Sequence, residues 1–358
     1  MLRKTKTLKQ GSIIFLEHTS QVLKDNPLGD PHVRTVPVYL PWQYNSAKSK
    51  YRNFPVLYDL AGFTSSGPGR VNWKNFGESI PERLDRLIAH RKLSPVVIVF
   101  PDCFTSFGGN QYIDSPAIGN YARYLTQELI PFIDRELKSI ADREHRGCFG
   151  KSSGGYGALI HGMKYTKFWG AIANHSGDAY FDFIYKSEWP AVLTHLENFK
   201  SFERLPSSEQ NPGHDDGRIA KFLSHVRDID NPTSRDIMTL MMLAMAASYD
   251  PDLKAPNSFQ LPFNLNTGEL NLKRWKNWLL HDPVNLVTKY SANLRKLSGL
   301  YMDCGSRDQF HIHFGSRQIS KSLNNHNVNH HYEEFDGTHS GIDHRLDISL
   351  PFLMRHLK

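Results

Sequence analysis

A serine between two glycines is the clearest chemical signal in this sequence, in the stretch GCFGKSSGGYGAL. A phosphate-binding loop would need a glycine five residues before Gly150, but that position holds His145. The pattern Gly-x-Ser-x-Gly does fit, and it presents Ser152 on a sharp turn between a strand and a helix. Ser152 is therefore predicted to be a nucleophile. Ser153 is the weaker alternative, because Lys151 would crowd its turn.

A serine hydroxyl is a poor nucleophile unless a base takes its proton and a third group orients that base. Among 18 histidines, His339 lies in the loop FDGTHSG, directly after the last predicted strand. The stretch LYMDCGSRDQF supplies Asp308 in the loop after the preceding strand. Asp303 is the alternative acid, but it lies inside the strand pattern. The chain order serine, acid, histidine predicts a triad of Ser152, Asp308 and His339.

Such a triad also needs backbone N–H groups that stabilise a developing oxyanion. The residue after the nucleophile provides one, which is the N–H of Ser153. The second is expected in the loop after an earlier strand. In the stretch VLYDLAGFTSSGPG a strand ends at Leu60 and small residues follow, so the N–H of Phe63 is predicted to be the second donor.

Short β-branched runs alternate with helical patterns, which predicts an α/β fold with a mainly parallel central sheet flanked by helices. Uninterrupted apolar runs such as VVIVF are typical of strands buried on both faces. The predicted strands are Ser12–Leu16, Val33–Leu40, Val56–Leu60, Val96–Phe100, Arg146–Phe149, Gly170–Asn174, Gly299–Cys304 and Asn329–Phe335. The predicted helices are Ile80–Arg91, Ile118–Leu137, Gly154–Tyr165, Gln309–Leu323 and Arg345–His356, and Pro131 is expected to kink or restart the second of them.

The alternation stops between residues 177 and 294, where helical patterns (Ile219–Val226, Ser234–Tyr249) and proline-rich loops prevail. We predict one domain over residues 1–358 that carries a mainly helical insertion at 177–294, as a lid or cap. The four methionines of the second insertion helix are either buried packing or a flexible apolar wall over a substrate.

Composition excludes several classes of protein. With 358 residues, 39% of them apolar and 22% charged, the chain is globular, not disordered. Its net charge is +7, but the basic residues are scattered, so no nucleic-acid partner is expected. The histidine-rich stretches HIH and HNVNHH lack a common helix face, and we predict neither a metal nor a cofactor.

The cellular setting can be predicted from cysteines and apolar runs. Three cysteines without regular spacing (Cys103, Cys148, Cys304) argue against a disulfide framework and for a reducing compartment. The N-terminal apolar run is too short for a signal peptide, and no run approaches the ~20 residues that span a bilayer. We expect a cytoplasmic protein without membrane contact, and homo-oligomer formation is left open.

In their order, the stretches NPLGDP, VLYDLAGFTSSG, PDCFTSFGGNQYIDS, GKSSGGYGAL, DCGSRDQF and FDGTHSG resemble the putative-esterase family of α/β-hydrolases. That family includes esterase D (S-formylglutathione hydrolase), enterochelin-esterase-like proteins, feruloyl esterases and mycolyltransferases. The resemblance implies an α/β-hydrolase fold and the same triad. It also implies that the loop GGNQY lines the substrate cleft, which singles out Asn110 and Tyr112. Lys151 and Ser153 depart from the commoner family pattern, which has an aromatic residue or histidine, and a methionine.

The leading hypothesis is a serine carboxylesterase that hydrolyses small to medium carboxylic, aryl or thio esters through an acyl-enzyme. Its partner would be a small-molecule ester, and it would need no cofactor. Two alternatives stay open. The same acyl-enzyme could pass its acyl group to an alcohol or sugar, if the insertion excludes water. A non-catalytic binding protein on a hydrolase scaffold is the other, and the intact triad speaks against it.

Overall fold

The protein folds around one large twisted sheet. The computed structural model describes residues 8–47, 49–200 and 215–358. Its strands are β1 (Ser12–Thr19), β2 (Val33–Leu40), β3 (Val56–Leu60), β4 (Val97–Val99), β5 (Asp114–Ser115), β6 (Gly119–Asn120), β7 (Arg146–Lys151), β8 (Ala171–His175), β9 (Gly299–Gly305) and β10 (His331–Phe335). All eight predicted strands are present, and β5 and β6 form a separate small hairpin.

The eight strands of the main sheet follow the order β1-β2-β4-β3-β7-β8-β9-β10. The pairs β1–β2 and β2–β4 are antiparallel, and all the other neighbours are parallel. The predicted mainly parallel sheet is therefore confirmed. Because parallel strands end at the same edge of a sheet, the loops after β3, β7, β8, β9 and β10 leave from one edge. That edge is where ligands bind in open α/β sheets.

Helices cover both faces of the sheet. They are α1 (Gly67–Arg70), α2 (Ile80–Ala89), α3 (Tyr121–Arg123), α4 (Ile130–Glu136), α5 (Ser153–Lys164), α6 (Phe181–Ile184), α7 (Trp189–Glu197), α8 (Arg218–Asp228), α9 (Ser234–Tyr249), α10 (Leu272–Leu279), α11 (Pro283–Leu294), α12 (Ile312–Asn325) and α13 (Leu346–His356). One apolar cluster joins α2 and α13 to the sheet, and a larger one lies on the other face with α5 and α12. No helix within the described ranges is long and apolar enough to cross a membrane.

The segment predicted as one helix from 118 to 137 is interrupted. A π-helical turn, Tyr124–Leu129, separates α3 from α4. It ends where the N–H of Ile130 bonds to the carbonyl of Leu125, five residues earlier. Pro131 has no N–H, and its ring would clash with the carbonyl four residues before it. The α-helix restarts at Ile130 after this wider turn, with Pro131 in its first turn, where a missing N–H is tolerated. The predicted start at Ile118 is wrong, because Gly119–Asn120 form β6 and the helix begins at Tyr121.

The described part of the range 177–294 contains helices and two isolated β-bridges. Its last helix, α11, packs on α5 and α12 and connects β8 to β9 across the sheet. The segment before α11 shares the large apolar cluster, and the Tyr156 hydroxyl of α5 donates to the carbonyl of His281. In α9, Met242 and Met245 are fully buried, as expected if these two methionines pack in the core. A lid function of this segment remains a prediction.

Candidate active site

Ser152 lies on the predicted sharp turn between β7 and α5. Its backbone has φ 58° and ψ −125°, a conformation that costs a non-glycine residue energy. Its N–H donates to the carbonyl of His175 at 3.0 Å, which ties the turn to the end of β8. A Cβ on Gly154 would come within 1.8 Å of the Leu60 carbonyl oxygen, and one on Gly150 within 2.5 Å. Both glycines are therefore needed for the turn to form.

The loop after β3 lies directly against this serine. A Cβ added to Gly62 would lie 3.6 Å from the Cβ of Ser152. The N–H groups of Phe63 and Ser153, the two predicted oxyanion donors, donate to no acceptor in the described part of the chain. Ser153 is also the first residue of α5, where backbone N–H groups have no partner within the helix and carry the positive end of its dipole.

Asp308 and His339 meet, as predicted. Asp308 follows β9, and its Oδ2 accepts a hydrogen bond from Nδ1 of His339 at 2.8 Å. Its other oxygen accepts the N–H of Phe310 at 2.9 Å. The N–H of His339 donates to Oε1 of Gln309 at 2.9 Å, which fixes the histidine loop. Both side chains are buried, with Asp308 2% and His339 6% exposed.

The electrostatics of this pair favour the arrangement that a base needs. Burial alone would raise the pKa of Asp308, but the hydrogen bond and charge of His339 outweigh it. The pKa of Asp308 therefore lies below its usual value, and the group is a carboxylate at neutral pH. A carboxylate can only accept, so Nδ1 of His339 carries the proton. In the neutral ring this leaves the lone pair on Nε2 free to act as a base.

Asp303, the alternative acid, has another role. Its carboxylate accepts hydrogen bonds from His175 at 2.7 Å, Arg345 at 2.8 Å and Tyr301 at 2.9 Å. Both oxygens of this carboxylate are thus hydrogen-bonded, and in the described residues neither of them bonds to His339. The structure pairs His339 with Asp308, and the catalytic role of Asp308 stays a prediction.

The chain brings Ser152, Asp308 and His339 to the same edge of the sheet, at the ends of β7, β9 and β10. No hydrogen bond joins the Ser152 hydroxyl to His339 in the described residues. Catalytic hydrogen bonds are often long or absent before substrate binds, so a missing Ser152–His339 hydrogen bond is compatible with a triad. The triad as a working unit stays a prediction.

The two residues that the resemblance placed in the substrate cleft are buried. Oδ1 of Asn110 accepts the N–H of Tyr112, a local turn contact. Tyr112 is 2% exposed, and its hydroxyl donates to the carbonyl of Ala61 at 2.6 Å. The loop with Phe63 begins at Ala61, so the Tyr112 hydrogen bond holds the start of the loop that carries this predicted oxyanion donor. Substrate contact by Asn110 and Tyr112 remains a prediction.

A buried polar network beside Ser152 contains Gln111 and Tyr185, two residues that the sequence analysis does not single out. The amide nitrogen of Gln111 donates to Oγ of Ser153 at 2.8 Å and to Oδ2 of Asp178 at 3.4 Å. The Tyr185 hydroxyl donates to the same oxygen of Asp178 at 2.7 Å. Burial raises the pKa of Asp178, and the Tyr185 hydrogen bond and the charge of His339 offset this only in part. The network holds the Ser153 side chain in place, directly after the nucleophile. The loop that carries Gln111 turns at Tyr112, whose φ is 57°.

The histidine-rich stretches make local contacts. His330 bonds to Ser320 through Nε2 and to the Val328 carbonyl through Nδ1, and His326 bonds to the carbonyl of Ser322. Across the described residues, no group of three His, Cys, Asp or Glu side chains is arranged to hold a metal ion. Cys103, Cys148 and Cys304 are free and buried.

His161 under the Tyr112 loop is expected to make stability pH-dependent. Its Nε2 bonds to the Tyr112 carbonyl at 2.9 Å, and its Nδ1 accepts from Trp169 at 3.2 Å, so the ring must be neutral. Burial lowers the pKa of His161 from 6.5 to about 4. Above pH 6.5 both the folded and the unfolded state are neutral here. As pH falls from 6.5 towards 4 only the unfolded state takes up the proton, which costs about 3 kcal/mol of unfolding free energy.

Urea unfolding of the wild type and of His161→Gln at pH 7 and pH 4.5 measures this effect. The expected result is a smaller loss of unfolding free energy between the two pH values in the variant, whatever its absolute stability. An equal loss in both proteins would contradict the assignment.

Comparison with known proteins identifies the family of the chain. The sequence model of the family described as Putative esterase matches residues 31–349. The chain belongs to the putative esterase family. The family assignment expected from the motifs is thereby confirmed.

Two curated relatives of this esterase-family chain match over part of it. A Xylanibacter ruminicola protein named endo-1,4-beta-xylanase/feruloyl esterase is 29% identical over 149 residues, which are 41% of this chain and 20% of that protein. A Mycobacterium tuberculosis esterase is 28% identical over 153 residues, 40% of this chain and 29% of that protein. The chain thus matches less than a third of the length of these relatives.

Solved structures show the same fold over nearly the whole chain. A ferulic acid esterase superposes with a TM-score of 0.57 and 20% identity, covering 98% of this chain and 100% of the other. An S-formylglutathione hydrolase from Agrobacterium tumefaciens superposes with a TM-score of 0.56 and 15% identity, covering 99% and 98%. At such identities the likeness establishes the fold alone, which is the α/β-hydrolase fold.

Proposed function

We propose that this member of the putative esterase family is a serine carboxylesterase with Ser152 as nucleophile, His339 as base and Asp308 as the orienting acid. The observation that carries the proposal is the buried Asp308–His339 hydrogen bond at the edge of the sheet from which Ser152 projects. The strained backbone of Ser152 supports the same function, as do the N–H groups of Phe63 and Ser153, which have no acceptor among the described residues.

In the proposed reaction, Oγ of Ser152 attacks the ester carbonyl carbon while Nε2 of His339 takes the hydroxyl proton. The carbonyl oxygen becomes an oxyanion, which accepts hydrogen bonds from the N–H groups of Phe63 and Ser153. Each such donor is worth about 10²- to 10³-fold in rate. The imidazolium then gives its proton to the departing alcohol. Water, deprotonated by His339, attacks the acyl-enzyme and releases the acid and free Ser152.

Asp308 has two tasks in this scheme. It keeps the Nδ1 proton in place, so that Nε2 faces the reacting oxygen. It also stabilises the positive charge that His339 carries while it holds the proton. The depressed pKa of Asp308 fits this role, because the carboxylate stays charged throughout the physiological pH range.

Aromatic side chains in the segments after β8 and β9 support apolar or aryl esters as substrates. The Phe310 ring meets the His339 ring edge-on at 4.9 Å. Phe183 in α6 and Phe314 in α12 lie 5.8 Å apart, and they are 42% and 39% exposed. The relatives named feruloyl esterase and S-formylglutathione hydrolase add an aryl ester and a thioester to the classes worth testing.

A substrate panel tests the function. We expect measurable kcat/KM for p-nitrophenyl acetate and butyrate, with higher values for methyl ferulate than for methyl acetate. A thioester and an added acceptor alcohol extend the panel, and product analysis separates hydrolysis from acyl transfer. A folded protein that cleaves none of these substrates would contradict the proposal. Transfer to the alcohol in preference to water would identify the acyltransferase alternative.

A further inference from the structure

A second Ser-His-Asp set lies inside the protein, against α13. Nδ1 of His175 bonds to Oδ1 of Asp303 at 2.7 Å, and Nε2 of His175 bonds to Oγ of Ser349 at 2.9 Å. These distances resemble those of a catalytic triad. All three side chains are nevertheless buried. Ser349 lies in the middle of α13 and has no exposed surface itself. No substrate can reach this serine, so the set needs another explanation.

The set belongs to a larger network that includes the buried charges of Asp303 and Arg345 and the partly exposed Glu333. Arg345 donates through Nε to the second oxygen of Asp303 at 2.8 Å and through Nη2 to the Tyr301 hydroxyl at 3.0 Å. The same guanidinium pairs with Glu333 at 2.7 Å. His175, Asp303 and Glu333 are direct neighbours in register across β8, β9 and β10. Arg345 therefore binds across the strands whose ends carry the proposed site.

Each part of the proposed triad adjoins one member of this network. The carbonyl of His175 accepts the N–H of Ser152 at 3.0 Å. Asp303 is five residues before Asp308 on the same strand and turn, and its carbonyl accepts the N–H of Ser176 at 2.8 Å. Arg345 is six residues after His339, at the end of the histidine loop. The network thus connects the nucleophile turn, the acid loop and the histidine loop under the sheet edge.

We propose that His175, Asp303 and Arg345 are positioning residues for the reaction, an inference that rests on the proposed function. A buried hydrogen-bonded ion pair has a narrow range of favourable geometries, and a displaced partner would leave a charge unpaired. The loops tied to it are therefore held at fixed distances from one another. Proton transfer between Ser152 and His339 depends on that spacing, and a misplacement of about 1 Å can cost about 10²-fold in rate.

The test uses kcat per active site, so that misfolded protein does not count. Active sites of the full chain are titrated with a fluorophosphonate, and steady-state rates are divided by the titrated number. Arg345→Met is expected to lower kcat per site by about 10- to 100-fold, with KM within about threefold of wild type. Arg345→Lys, which keeps one charged hydrogen bond to Asp303, should restore part of that loss.

Two further variants keep the test decisive. Asp347→Asn, on the same helix as Ser349, removes ion pairs to Arg83 and Arg86 outside the network. It should lower Tm without changing kcat per site. Ser349→Ala removes only the hydroxyl that bonds to Nε2 of His175, so it is expected to fold even if Arg345→Met does not. A reduction of kcat per site is expected for this variant too.

Unchanged kcat per site in both Arg345→Met and Ser349→Ala, with only Tm lowered, would overturn the positioning role. A wild-type protein without titratable sites is a different outcome, because it would refute the proposed function itself.

Discussion

Replacing Ser152 with alanine is expected to lower kcat for p-nitrophenyl acetate by about 10⁴- to 10⁶-fold, because no acyl-enzyme can form without the hydroxyl. The backbone of the turn should survive, since alanine has no larger side chain than serine and the flanking glycines are retained. KM and Tm should change little. Initial rates at saturating ester, with Tm measured on the same samples, check the prediction.

Ser153→Ala is the matched control for this variant. It keeps the N–H that we assign to the oxyanion hole and removes only the hydroxyl that accepts from Gln111. Loss of one neutral hydrogen bond is worth about 1 kcal/mol, so kcat should fall by no more than about tenfold. A larger loss in Ser153→Ala than in Ser152→Ala would reverse the assignment of the nucleophile.

Asp308→Asn is expected to lower kcat by about 10⁴-fold while the protein stays folded. The amide can donate to Nδ1 of His339, which moves the ring proton to Nε2 and removes the base. Because the pKa of Asp308 is depressed in the folded state, the wild-type carboxylate also stabilises the fold above about pH 4, and this contribution is lost as pH falls below that value. Rates and urea unfolding at pH 7 measure both effects.

Asp303→Asn supplies the contrast. Its carboxylate contacts His175, Arg345 and Tyr301 and does not reach His339. Removing one partner of a buried ion pair costs about 3–5 kcal/mol, so this variant should lose more stability than Asp308→Asn. Its kcat per active site should fall far less, within the loss expected for a positioning residue. The opposite ranking of the two kcat values would make Asp303 the acid.

The central sheet was predictable from local patterns. The run VVIVF, of which Val97–Val99 form β4, is apolar on both faces, and strands between two helical layers need that composition. The turn at Ser152 was predictable for a steric reason, since Gly150 and Gly154 occupy positions where a Cβ would collide with backbone. Asp308 and His339 followed from chain order, because each comes directly after a recognisable strand.

Contacts between distant side chains that belong to no recognisable motif pair were not predictable. The hydrogen bond of Gln111 to Ser153 joins residues 42 apart, and that of His175 to Ser349 joins residues 174 apart. Nothing in the local sequence of either pair selects the partner. The family resemblance singles out Tyr112, but its positive φ and its hydrogen bond to the Ala61 carbonyl depend on the folded loop. The helix Pro283–Leu294 has an ordinary amphipathic pattern, which does not say that it packs on α5 and α12.

The most direct test of Ser152 as the nucleophile is to locate the covalent adduct of a fluorophosphonate by mass spectrometry of the digested protein. We predict one phosphonyl group per chain, on the hydroxyl of Ser152, and strongly reduced labelling in His339→Ala. An adduct on Ser153, or full esterase activity in protein that carries no adduct, would contradict it.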